Sequence, residues 1–340
     1  MSHNWWRPDH FQGKKEHLIK RADILRDIRR FFEQQDYLEV ETPILQHSPG
    51  MEVHVHAFKT EKLCAHLEQK TPYFLQTSPE FAMKKLLAAD MGKIFQICKC
   101  FRNAEDSPNH SVEFTMLEWY HPECDYTDLM REVIAMIRYV CKTPIKWRDM
   151  SCDVMRDWDI LSVSEAFSKY AQIDLDAYLE DRDGLLKIAE EKGIHIDGNE
   201  NWDDAFFRIF LEKIEPHLGV GVPCILYDYP AHMAALSRKK KDDPRYAERF
   251  EIYICGLELA NAFGELIDAA EQKARFEAAM TEKQDLYGTT WPVDTDFITA
   301  LEHGMPEASG IALGIDRLVM LITGAENITD IMAYRPGYMG

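Results

Sequence analysis

The sequence predicts an α+β fold in which an antiparallel β-sheet is flanked by helices, and three observations lead there. Lys93 to Phe101 and Glu113 to Tyr120 read as paired antiparallel strands, joined by a loop in which Ser107-Pro108-Asn109 supplies the turn chemistry. Apolar residues recur at helical spacing from Ile19 to Phe32 and again from Tyr126 to Val140. Small residues at 310, 312 and 314 share one strand face, and a helix that carries Arg317 begins just after Gly314.

A chain of 340 residues suffices for one large domain or two ordinary ones, with a sizeable core. Hydrophobic content of 46% and charged content of 29% are those of a soluble globular protein. No apolar run approaches a membrane span, and Met1 to Asp9 lacks the apolar centre of a signal peptide, so a cytoplasmic protein without membrane contact is expected. Eight cysteines, Cys64 among them, are scattered without zinc-site or disulfide spacing. The net charge of −19 argues against extended nucleic-acid contact, because that affinity rests on Lys and Arg neutralising phosphates. The basic run Arg238-Lys239-Lys240-Lys241 reads first as a solvated loop.

In chain order, residues 1–17 read as a poorly determined arm, and the first helix sets Ile24, Leu25, Ile28, Phe31 and Phe32 inward. Tyr37 to Pro43 reads as a strand stopped by its proline. His54 and His56 share a strand face, but no third metal ligand is spaced with them. Thr77-Ser78-Pro79-Glu80 opens a helix, with Ser78 as N-cap, Pro79 at the first position, and Lys84 and Lys85 on its charged side. In the hairpin, Phe114, Met116, Glu118 and Tyr120 share one face and Thr115, Leu117 and Trp119 the other. A carboxylate set among apolar side chains, as Glu118 is, calls for a cationic partner. Arg102 and Glu105 flank a loop closed by His110, a placement suited to gripping a phosphate with a guanidinium fork. Three helix-like pieces between about 150 and 219 carry no evident chemistry and suggest a small helical insertion, and Pro223 to Tyr229 reads as a buried strand. Glu251, Glu258 and Glu265 lie among aromatic and aliphatic residues, where they repel one another unless cations intervene; such hard oxygen ligands suit Mg²⁺ bound with nucleotide phosphates.

Phe101-Arg102-Asn103, His110 and Glu113 through Tyr120 resemble motif 2 of the class II aminoacyl-tRNA synthetases, in the lysyl branch. Glu39-Val40-Glu41-Thr42-Pro43 after a helix resembles motif 1, and Gly310 to Leu321, with Gly314-Ile315-Asp316-Arg317, resembles motif 3. Three motifs in order cover nearly the whole chain. The resemblance implies a class II catalytic core over residues 18–340, ATP and Mg²⁺ as cofactors, and a homodimer built on motif 1. For ATP it implies Arg102, Asn103, Ala104, Glu105, His110, Ser111, Phe114, Glu251, Ile252, Gly314 and Arg317, with Arg102 and Arg317 catalytic. Glu251 and Glu258 are implied as the metal carboxylates. Ser78, Pro79, Glu80, Glu118, Tyr120, Glu258, Asn261, Glu265 and Ala312 are implied around a lysine-like substrate.

Such an enzyme brings an amino-acid carboxylate against the ATP α-phosphate, so it needs positive charge and alignment rather than a nucleophilic side chain. Only about 20 residues precede the motif 1 helix, leaving no room for the anticodon-binding barrel of a full lysyl-tRNA synthetase. The truncated layout resembles the elongation factor P β-lysyltransferases. It implies activation of lysine or (R)-β-lysine as an adenylate, transfer to a lysine side chain of elongation factor P, and no tRNA anticodon binding. Ala312 stands where lysyl-tRNA synthetases usually carry glycine, and its methyl group alters which lysine isomer fits. Ala104 departs from the family pattern and moves adenine recognition to Glu105 or to backbone groups; Ser111-Val112 in the ATP loop and Ala262 in place of a glycine depart from it as well. Two other readings stay open: a lysine ligase with another acceptor, revealed by a charged-tRNA product, and a non-catalytic paralogue, revealed by absent pyrophosphate exchange.

Overall fold

The computed structural model describes residues 5–63, 69–196, 198–234 and 236–335, so Cys64 and the first four residues of the expected arm lie outside it. Helix α1 (Pro8–Gln34) opens the described chain. It starts well before Ile19, which corrects the expected arm: Pro8 suits a first helical position, and Lys14 Nζ and His17 Nδ1 reach the carbonyls of Thr329 (2.6 Å) and Asp330 (3.2 Å), tying down a turn whose sequence is polar. The strand expected over 37–43 shrinks to β1 (Leu38–Glu39), followed by β2 (Leu45–Gln46), β3 (Lys59–Leu63) and β4 (Lys70–Leu75), of which the last three form a small sheet. Helix α2 (Glu80–Ala88), the hairpin strands β5 (Ile94–Phe101) and β6 (Glu113–Pro122), and helix α3 (Tyr126–Val140) come next. Asp125 caps α3, accepting from the amides of Thr127 and Asp128.

Strands β7 (Ile145–Trp147) and β8 (Met150–Cys152) pair with each other, and β9 (Asp159–Ser162) leads into the helical stretch of α4 (Val163–Ala166), α5 (Arg182–Glu191) and α6 (Trp202–Ile209). These helices gather Phe167, Leu185, Phe206 and Phe210 into a second core against Leu226 and Tyr229. Strands β10 (Cys224–Pro230), β11 (Tyr246–Ile254) and β12 (Leu257–Gly264) follow, then helices α7 (Ala269–Tyr287) and α8 (Thr295–Gly304), strand β13 (Ala308–Gly314) and helix α9 (Ile315–Thr323).

Eight strands form the main sheet in the order β1-β5-β6-β13-β12-β11-β10-β9, antiparallel except at its two edges. One face carries the main core, with Phe32, Trp119, Ile137, Phe250, Ile252, Ile311 and Leu318 in it. The other face carries the polar residues. Because paired residues share a face, the register Gln96–Glu118–Ala312–Asn261–Glu251 lays candidate site residues along one rung across five strands.

Candidate active site

A cavity of about 300 Å³ opens over this rung, with Glu118, Ala312 and Asn261 in its lining. At one end the chemistry is acidic. Glu118 is buried, and its two oxygens accept from Ser78 Oγ (2.6 Å) and Tyr120 Oη (2.8 Å). Burial first, then the nearby charge of Glu80, holds its carboxyl well above the ordinary value. The cation expected beside it is absent among the described residues: two hydroxyls serve instead. The cation of this region, Lys84, is fully buried and lies 2.5 Å from both Glu80 and Glu265, which corrects its reading as a charged-side residue. Its spacing of four residues after Glu80 was the available signal. One ammonium between two carboxylates leaves a deficit, and burial, partly offset by Lys84, raises the Glu265 carboxyl to about 7.

Ser78 Oγ also accepts from the Glu80 amide at 3.0 Å, so one hydroxyl satisfies the start of α2 and orients Glu118. The helix begins at Glu80 rather than Pro79, and Pro79 itself stays out of the cavity lining. Tyr120 and Glu265 stand behind the wall, each almost wholly buried. Gly310 explains their closeness: a Cβ there would fall 2.3 Å from the Tyr120 ring and 2.4 Å from Glu265 Oε1.

The other end is cationic. Arg102, Glu105, His110, Ser111, Phe114, Gly314 and Arg317 line it together, as the sequence suggested, and Asn109 joins them. The Arg102 guanidinium sits 5.3 Å from the centre of the Phe114 ring and 3.9 Å from Glu105. Arg317 donates to the Glu258 carbonyl at 2.6 Å and to His110 Nε2 at 2.5 Å. Since a guanidinium can only donate, Nε2 carries no proton; Nδ1 holds it and donates to Ser107 Oγ at 2.7 Å. Burial and the Arg317 charge keep His110 below the ordinary imidazole value, consistent with a neutral ring. The loop bearing His110 is clasped from the chain end, where Arg335 pairs with Asp106 and donates to the carbonyls of Ser107 and His110. In the cavity wall, Asp316 accepts from the Thr115 amide and from Arg21, both at 2.6 Å, linking α9, β6 and α1.

Several expected nucleotide residues lie elsewhere. Asn103 and Ala104 are exposed and outside the lining, with Ala104 at φ 66° and its amide bonded to Asn103 Oδ1. Ile252 points into the main core, because strand alternation sends the neighbour of Glu251 to the opposite face. Glu251 is itself buried, accepting from Tyr229 (2.5 Å), Tyr253 (2.6 Å) and Arg249 (2.6 Å). With three donors on its two oxygens, it has no share in the lining. Glu258 faces the cavity and fits a cation that takes most of its ligands from phosphates and water, the usual manner of Mg²⁺. Arg249, which sequence reasoning passed over, lines the cavity and donates to Asn261 Oδ1 at 3.2 Å, fixing how that amide faces. Glu52, from a loop without regular structure, also lines it and gave no periodic signal. His54 and His56 are not a metal pair: both turn to Tyr287, one through a 2.9 Å hydrogen bond and the other by ring contact at 4.7 Å.

The fold is that of a class II synthetase core. Residues 10–336 match the family described as tRNA synthetases class II (D, K and N), and the chain belongs to that family. Over its full length it groups with proteins named elongation factor P–(R)-β-lysine ligase. The one from Proteus mirabilis is 39% identical over 331 residues, covering 97% of each chain. Those from Haemophilus influenzae and Photorhabdus laumondii are each 40% identical over the same span and coverage.

Proposed function

We propose that this protein is an ATP-dependent ligase that activates (R)-β-lysine as an aminoacyl-adenylate and passes the acyl group to a lysine side chain of elongation factor P. The observation that carries the activation step is the polarity of one cavity: guanidinium groups of Arg102 and Arg317 at one end, carboxylates of Glu80 and Glu118 at the other. A diamino acid placed along it sets its carboxylate beside the triphosphate and its amino groups among the acids. Arg102 and Arg317 draw charge from the phosphates as the carboxylate oxygen bonds to the α-phosphorus and pyrophosphate leaves. Phe114 offers a flat face for the adenine, and Glu105 a hydrogen-bond acceptor for its amino group. Glu258 would hold a Mg²⁺ that adds further positive charge to the phosphates.

Ser78 and Tyr120 orient Glu118, Arg249 orients Asn261, and the Ala312 methyl between Glu118 and Asn261 shortens the floor under the substrate backbone. The names of the relatives supply the isomer and the acceptor. On the same reading the protein works in the cytoplasm as a homodimer joined through α1 and β1, and does not read an anticodon. Amino-acid-dependent ATP–pyrophosphate exchange with α-lysine and (R)-β-lysine side by side is the test. Stronger exchange with the β isomer is expected; no exchange with either would overturn the activation step.

A further inference from the structure

Adenylate formation consumes no general base, yet a lysine amine that attacks the adenylate must give up a proton. We propose that Glu52 is the base of the transfer step, receiving that proton where the active-site cavity meets a second cleft. The inference rests on the transfer reading above. Glu52 lines both spaces, together with Met233 and Arg249, and the second cleft, about 1020 Å³, is the larger. Its far wall comes from the helical stretch, including Glu180 and Asp203, and from Glu282 of α7. Lys239, Arg245 and Arg275 also line it, so the cleft carries both signs of charge.

Unlike Glu80, Glu118, Glu251 and Glu265, which other side chains hold, the Glu52 carboxylate bonds only to its own backbone amide among the described residues. Its backbone is nevertheless fixed. The buried Lys283 ammonium donates to the carbonyls of Glu52 (3.2 Å), Val53 (2.6 Å) and Val55 (2.7 Å). A carboxylate that no other side chain claims, on a tethered loop, is what a proton acceptor requires. The charged groups that face it are Arg102, Glu80 and Lys283; burial, reinforced by Glu80, outweighs the two cations and raises its carboxyl above the ordinary value, toward that of an effective base.

In the step itself, the acceptor ammonium first releases one proton to water, and the neutral amine then attacks the acyl carbon. The C–N bond forms, the C–O bond to the phosphate breaks with its electron pair leaving on AMP, and the second N–H proton passes to Glu52.

The test separates the half-reactions of Glu52→Gln from those of the parent enzyme. ATP–pyrophosphate exchange and capture of the adenylate by hydroxylamine, a weakly basic nucleophile, should stay within about twofold of the parent, while acyl transfer to elongation factor P falls about 100-fold, and Glu52→Asp recovers part of it. Transfer by Glu52→Gln at the parent rate would overturn the proposal. So would a matching loss of exchange, which would make Glu52 a binding group for the amino acid. If the parent enzyme itself leaves elongation factor P unmodified, the transfer reading fails instead.

Discussion

The guanidinium of Arg317 is set by the Glu258 carbonyl on one side and the unprotonated Nε2 of His110 on the other, before any phosphate arrives. A lysine offers charge without the fork, so Arg317→Lys should slow pyrophosphate exchange about 100-fold while leaving the thermal midpoint unchanged. Exchange within a few-fold of the parent would remove Arg317 from the phosphate contacts. Glu265 carries a pH dependence. Its carboxyl moves from 4.5 unfolded to about 7 folded, so the folded state holds the proton more tightly. Its stabilising contribution is complete below 4.5 and lost as pH rises to about 7. Urea titrations across that window should show stability falling with pH, and Glu265→Gln should flatten the slope; an unchanged slope would place the titration elsewhere. That Arg102, Arg317 and Glu118 share one cavity was legible in the sequence because each stands in a strand–loop or strand–helix pattern that resembles a class II motif. Glu52 and Arg249 were not: one sits in an irregular loop, and the other looks like any charge on a strand.

At the scale of elements, two buried ion pairs join parts of the chain far apart in sequence. Arg21 of α1 holds Asp316 at the start of α9, and Lys84 of α2 holds Glu265 just past β12. Removing one partner of a buried pair leaves an uncompensated charge, at a cost of about 3–5 kcal/mol. Lys84→Met should lose stability of that order in urea unfolding; a loss under about 1 kcal/mol would mean that the neighbouring carboxylates take up the proton without penalty. Arg21→Ala should destabilise similarly and also slow exchange, since Asp316 adjoins Arg317. Sequence patterning found α3, the hairpin and the β13–α9 junction because their periodicity is strong and their ends are capped or broken by glycine. It missed the first turns of α1, whose polar residues are held by contacts to residues 329 and 330 that no local pattern reveals. The face of Glu251 was legible in the same way, but not the three donors that hold it.

At the scale of the whole molecule, a charge of −19 sits with a cavity lined by three guanidinium groups, those of Arg102, Arg249 and Arg317. That balance suits a small anionic nucleotide and disfavours a long polyanion. No helix among the described residues is long and apolar enough to cross a membrane. Leu38 in β1, the outer strand of the main sheet, and Leu45 in β2 of the small sheet are each half-exposed and suit the proposed homodimer. Joint substitution to aspartate should convert dimer to monomer in sedimentation velocity, and a dimer that persists would move the interface away from motif 1.

The most direct measurement is intact-protein and peptide mass spectrometry of elongation factor P after incubation with this enzyme, ATP and (R)-β-lysine, with lysine tRNA in a parallel reaction. The account predicts one lysyl increment on a single lysine side chain of the factor and no acylated tRNA. An unmodified factor, or acylated tRNA in its place, would contradict it.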